Sequence, residues 1–102
     1  MYKVSIIYPN QKDARFDLDY YQNNHMKHVE KLLNPYGLIK TTIEKGISGG
    51  AGLPPPYVCI GCLYFETEDG YDRGITEAGK VLREDIRNYT DIQPTRQISK
   101  IL

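Results

Sequence analysis

The sequence predicts an α+β fold, a ferredoxin-like βαββαβ unit with a four-stranded antiparallel sheet. Three observations predict it. Hydrophobic periodicity switches between strand and helix in the order strand, helix, strand, strand, helix, strand. The segment Tyr57–Phe65 holds no charge, whereas the segments read as second and fourth strands carry Lys40, Glu44, Lys45, Arg96 and Lys100. Right-handed, un-knotted connections then favour the split βαβ arrangement. That topology places the first and third strands at the centre and the charged strands at the edges, where charge is tolerated.

Each element has its own signal. Tyr2–Tyr8 alternates, with Tyr2, Val4, Ile6 and Tyr8 on one side, and Pro9–Asn10 ends it. Asp17 is placed to cap the first helix, with Phe16 and Tyr21 spaced for a hydrophobic staple. Asn34–Pro35 closes that helix, because a residue before proline resists the helical region. The second strand is expected over residues 38–47. A Gly/Pro-rich loop covers Gly46 to Pro56, and the third strand Tyr57 to Phe65. The second helix is expected from Glu68 to Asp85, capped by Thr67, and the last strand over Thr95–Leu102.

With 102 residues the chain is long enough for one small domain, expected to span residues 1–102. Lys+Arg and Asp+Glu both number 13, which argues against a nucleic-acid-binding or anionic-membrane-binding protein, since those depend on excess Lys and Arg. No apolar run is long enough to span a bilayer. The N-terminal Met-Tyr-Lys-Val-Ser lacks the long apolar stretch of a signal peptide, so a cytoplasmic location is expected.

The two cysteines form Cys59-Ile-Gly-Cys62, a spacing known from redox and metal sites. Here it lies in a strand, where residues three apart face opposite sides. The sulfurs are expected to diverge and to act as small buried hydrophobes. The uncharged third strand has a further consequence. It implies cover on both faces, two helices supply only one, and the simplest second cover is another copy of the chain, sheet against sheet. A homodimer is therefore expected.

His25 is the candidate functional side chain. At about 100° per residue from Leu18, Val29, Leu32 and Leu33 form an apolar stripe and His25 falls at about 340°, near its middle. Tyr21 and His28 flank it, and Tyr20 is expected to point away. His25 can be a hydrogen-bonded core residue or an acid/base lining a cavity, for which a pKa near neutrality suits imidazole. A metal site with His28 lacks an evident third ligand. On the second helix, Tyr71, Ile75, Ala78, Leu82 and Ile86 form the inward stripe, and Gly74, Ala78 and Gly79 on or beside it are expected to leave space above the sheet.

The sequence resembles the EthD family, named for ethyl tert-butyl ether degradation. The likeness is carried by Lys3–Asn10 (K-V-S-I-I-Y-P-N), Arg15–Met26 (R-F-D-L-D-Y-Y-Q-N-N-H-M), Gly46–Tyr57 (G-I-S-G-G-A-G-L-P-P-P-Y) and Asn88–Pro94 (N-Y-T-D-I-Q-P). The resemblance implies a dimeric α+β barrel and a role in catabolism beside an oxygenase system. The family histidine of the H-M motif corresponds to His25. Family members often carry another histidine on the second helix, and by spacing that place is Ala78 here. Gly74 and Ile75 also depart from the pattern. The departure implies a roomy, apolar pocket with one titratable group. Tyr89 and Asp91 of the N-Y-T-D segment are candidates to contact a ligand, against a role as a structural turn.

The expected function is a small-molecule catabolic enzyme or enzyme accessory. A hydrophobic organic compound would bind between helices and sheet, with His25 as acid/base and Tyr21, His28, Tyr89 and Asp91 as substrate-binding residues. If enzymatic, it would be a cofactor-independent lyase, isomerase or monooxygenase. No cofactor is expected, with haem as a minor option. The alternative is a non-catalytic ligand-binding or partner protein serving an oxygenase system.

Overall fold

In the computed structural model, which describes residues 1–102, β1 (Tyr2–Pro9) is hydrogen-bonded on both sides. It pairs antiparallel with β3 (Tyr57–Phe65) and with β4 (Thr95–Lys100), while β2 (Leu38–Lys45) pairs antiparallel with the far side of β3. The order β2-β3-β1-β4 puts the apolar strands inside and the charged strands at the edges, as the patterning predicts.

Both edge strands are shorter than the sequence reading. β2 ends at Lys45 rather than Ile47 because the chain turns off the sheet at Gly46, where any Cβ would strike the Tyr57 carbonyl. Pro54, Pro55 and Pro56 opposite have no N–H to donate to a ladder. β4 ends at Lys100 rather than Leu102, and the Ile101 N–H bonds the Met1 carbonyl at 3.0 Å just outside the ladder. The Gly46–Pro56 loop is closed on itself by the Gly49 N–H to Leu53 carbonyl bond (2.9 Å) and tied to β1 by Asn10, which bonds the Pro55 and Pro56 carbonyls.

One helix layer covers the sheet. The first helix, α1 (residues 18–33), runs as α over Leu18–Tyr20, π over Tyr21–His25 and α over Met26–Leu33. Asp17 caps it by accepting from the Tyr20 N–H at 3.1 Å, and the Phe16 and Tyr21 rings meet at 5.3 Å, as the staple spacing predicts. The expectation that Asn34 leaves the helical region before Pro35 is corrected: Asn34 stays helical (φ −51°, ψ −43°), the chain continues through the 3₁₀ turn Asn34–Tyr36, and Gly37 ends it with a positive φ of 87°. The second helix, α2 (Gly70–Asp85), starts later than the expected Glu68. The Thr67 hydroxyl bonds the Asp69 carboxylate instead of capping a backbone N–H. No helix is long and apolar enough to cross a membrane.

The core lies between helices and sheet. Val4, Tyr8, Cys59, Leu63 and Phe65 face Tyr21, Met26, Val29, Leu33, Tyr71, Ala78 and Leu82. The expectation that Gly74 leaves open space is corrected: a Cβ there would lie 2.6 Å from Leu33 and 3.2 Å from Tyr36, so the glycine permits close contact between the helices. Cys59 packs in this core and Cys62 points to the other face, 3.9 Å from Glu44, so the two thiols are free and apart as the strand period requires.

Gly61, in mid-strand, has a specific role. A Cβ there would collide with the Tyr21 hydroxyl, so the missing side chain is the seat on which that phenol rests. Gly61→Ala should destabilise the fold by about 1–3 kcal/mol, the usual cost of overpacking. Urea denaturation checks this through a lowered midpoint at constant m-value; an unchanged midpoint would show that Tyr21 is not anchored on the strand.

Candidate active site

A π turn stacks residues five apart on one face, where an α-helix separates them. Tyr20 and His25 are five apart. The bond from the Met26 N–H to the Tyr21 carbonyl closes the wide turn between them. Both side chains therefore reach the same group, Asp85 at the end of α2. The His25 Nδ1–H donates to Asp85 Oδ2 at 2.8 Å, and the Tyr20 hydroxyl donates to Oδ1 at 2.6 Å. Asn88 Nδ2 adds a third donor to Oδ1 at 2.9 Å. The expectation that Tyr20 points away is corrected here: a uniform 100° wheel does not hold through the π turn.

Asp85 acts as an orienter of the imidazole. With Nδ1–H committed to the carboxylate, the other nitrogen, Nε2, carries the lone pair. Nε2 makes no hydrogen bond, and since no fully buried side-chain nitrogen or oxygen lacks a partner, Nε2 is not sealed in the core. His25 is in the wall of a cavity of about 250 Å³ between helices and sheet. Eleven of the fifteen lining residues are hydrophobic, among them Ile6, Met26, Val29, Leu63, Ile75 and Leu82, so the interior suits an apolar guest. Gly74, Ala78 and Gly79 are not in the wall; the room lies beside Ile75, Leu82 and Ile86 instead. The expectation of a single titratable group is also corrected. Besides His25, the wall includes Tyr8, Tyr21, Tyr71, Asp72, Arg83 and Arg96.

The other expected contacts divide. Tyr21 lines the cavity, its ring stacked on His25 with centroids 5.7 Å apart. Tyr89 is fully buried outside the cavity wall, its ring 4.7 Å from that of His25 and its hydroxyl 2.7 Å from the Tyr8 hydroxyl. His28 is half-buried on α1 and does not reach the cavity. Asp91 accepts from the Arg15 N–H at 2.9 Å, and Thr90 bonds the Arg15 carbonyl, so this turn fastens the start of α1. No group of three or more His, Cys, Asp or Glu is placed to hold a metal ion.

Burial sets the protonation states. Burial lowers the His25 pKa from its usual 6.5, with Asp85 opposing the shift, so at neutral pH the ring is an unprotonated base. Burial raises Asp85, but hydrogen bonds from Tyr20, Asn88 and His25 outweigh it and hold the carboxyl below its usual 3.8. Burial pushes the Tyr8 phenol up to about 12, and raises Tyr21 and Tyr89 further, so all three remain neutral hydroxyls.

A four-stranded antiparallel sheet in the order β2-β3-β1-β4, covered on one face by two helices, is a ferredoxin-like fold. A solved EthD-like protein from Ralstonia eutropha JMP134 shares 35% identity over 99% of this chain and 91% of its own, with a TM-score of 0.94. The chain belongs to the EthD-like family. An ethyl tert-butyl ether (EthD) family protein from Bacillus halodurans C-125 is 19% identical over 100% of this chain and 99% of its own, TM-score 0.74. A protein of ferredoxin-like fold from Mesorhizobium loti MAFF303099, 14% identical over 99% of this chain and 96% of its own, TM-score 0.60, shares the fold. No family model and no curated protein matches the sequence.

The dyad makes a pH prediction. His25 has a folded pKa below its unfolded 6.5, so its contribution to stability is complete above pH 6.5 and is lost as pH falls from there towards the folded value. Removing the Asp85 charge takes away what opposes that lowering, so Asp85→Asn should move the His25 titration, followed by imidazole NMR, to still lower pH. A rise in D85N would mean that the carboxylate does not face Nδ1.

Proposed function

We propose that the protein binds a small, largely apolar organic molecule in this cavity and that His25 moves a proton on it. The observation that carries this reading is the His25 ring, bonded at Nδ1 to Asp85, unbonded at Nε2 and set in the wall of an apolar cavity. Nε2 takes a proton from a carbon made acidic by a neighbouring carbonyl. Asp85 steadies the resulting imidazolium. The proton then returns at a different carbon (isomerisation) or to a leaving group (elimination), and the imidazole is neutral again. The Tyr21 ring, stacked on His25 in the cavity wall, packs against the guest. Family membership supports a catabolic setting beside an oxygenase system.

The reading includes a homodimer. Opposite the helices the sheet presents Ile7, Ile60 and Tyr64, all only half-buried, with no helix over them. A second copy, sheet against sheet, is the cover that fits an isologous surface of this kind. Light scattering should give twice the chain mass, and Ile60→Lys should halve it; a monomer in the unaltered protein rejects the dimer.

Proton transfer is tested by NMR of deuterium uptake into cyclic and aryl ketones such as α-tetralone. The protein should speed exchange over buffer, and His25→Gln should reduce that acceleration by about 10²–10⁴-fold, the range of general acid–base catalysis, with binding retained. Equal acceleration by H25Q would remove His25 from the chemistry. Binding without acceleration across the panel would favour a carrier.

A further inference from the structure

The cavity wall is apolar on the inside and cationic at its mouth. Arg83 and Arg96 line the 250 Å³ cavity and also line an outer groove of about 400 Å³, together with Arg87. The two spaces thus share Arg83, Ile86 and Arg96 in their walls. Neither Arg83 nor Arg96 is neutralised: the chain's ion pairs are His25–Asp85 and Arg73–Asp69. Two carboxylates are near. Asp72 lines the inner cavity, and Asp91 in the groove is already bound to the Arg15 N–H. Three arginines and two carboxylates therefore line the joined spaces, a net positive charge.

The positions of both shared arginines follow from the fold. Arg96 is paired with Ile6 across β1 and β4, and Ile6 faces the cavity, so this edge-strand residue projects towards the helices. Arg83 lies back along α2. Its Nη1 is 2.6 Å from where a Cβ of residue 79 would be, and Ile75 Cγ2 is 3.0 Å from the same point. Gly79, one turn earlier, vacates the track on which the guanidinium rests.

The geometry points to an organic acid as the guest: an apolar body inside the cavity beside His25, and a carboxylate at the mouth held by Arg83 and Arg96. A planar guanidinium matches a carboxylate in geometry and charge, and two of them with no carboxylate paired to either are a ready receptor for one. This rests on the cavity being a ligand site, as proposed above, and adds the class of ligand.

The probes are 4-phenylbutanoate, 4-phenylbutanamide and 4-phenylbutylamine, which differ only at the polar end; binding is measured by calorimetry. The acid should bind about tenfold or more tightly than the amide, and the amine most weakly. The acid's advantage should shrink as salt is raised, because the mouth is exposed. Arg83→Gln with Arg96→Gln should abolish the advantage, whereas His25→Gln should leave it. Gly79→Ala should reduce it by displacing Arg83, while raising thermal stability because alanine favours the helix. Amide binding that equals or exceeds acid binding overturns this inference and leaves the apolar-cavity reading standing. An acid preference that survives the double arginine substitution also overturns it. If none of the three binds, the cavity reading falls and this inference with it.

Discussion

The carboxylate of Asp85 is the constraint on which the site depends. It receives His25, Tyr20 and Asn88, and so joins the middle of α1 to the end of α2 and the turn beyond. A carboxylate with three donors stays charged and fixed, and the ring bonded to it is held in one tautomer. Without the π turn, Tyr20 and His25 would point to different sides of α1 and the carboxylate would lose one of its donors. The irregular helix is thus the local cost of a rigid imidazole, consistent with the tendency of π turns to mark functional positions.

Around this dyad the protein places aromatic rings on three sides and space on the fourth. Phe16, Tyr8, Tyr21 and Tyr89 meet mostly edge to face, with neighbouring centroids 5.0–6.1 Å apart. Such rings give a stiff wall, since each is locked by its neighbours. The Tyr8–Tyr89 hydroxyl pair and the seat of Tyr21 over Gly61 satisfy or shelter the polar ends. The same burial lowers the His25 pKa and raises those of the phenols, so one dry environment supplies a neutral base and neutral donors together.

The two faces of the sheet serve different ends. The helix face encloses the site. The opposite face, half-buried and without a cover, is available for association and does not contribute to the cavity wall. The proposed site and the proposed contact between copies lie on opposite sides of one sheet, and strand alternation decides to which a residue contributes.

Sequence by itself determined the element order, the central and edge strands, the Asp17 cap with its Phe16–Tyr21 staple, the divergence of Cys59 from Cys62, and the inward aim of His25. These follow from local periodicity and chirality, which act over a few residues and leave a readable pattern. Tertiary structure decided the rest. Asp85 is 60 residues from His25 along the chain and carries no local signal of its partner. The π turn leaves the hydrophobic pattern of α1 unchanged but rotates Tyr20 into the site. Arg96 reads as an ordinary edge-strand charge until the sheet register sets it opposite Ile6. Whether a glycine makes room or makes contact depends on what packs against it, and Gly61, Gly74 and Gly79 each meet a different neighbour that no spacing rule identifies.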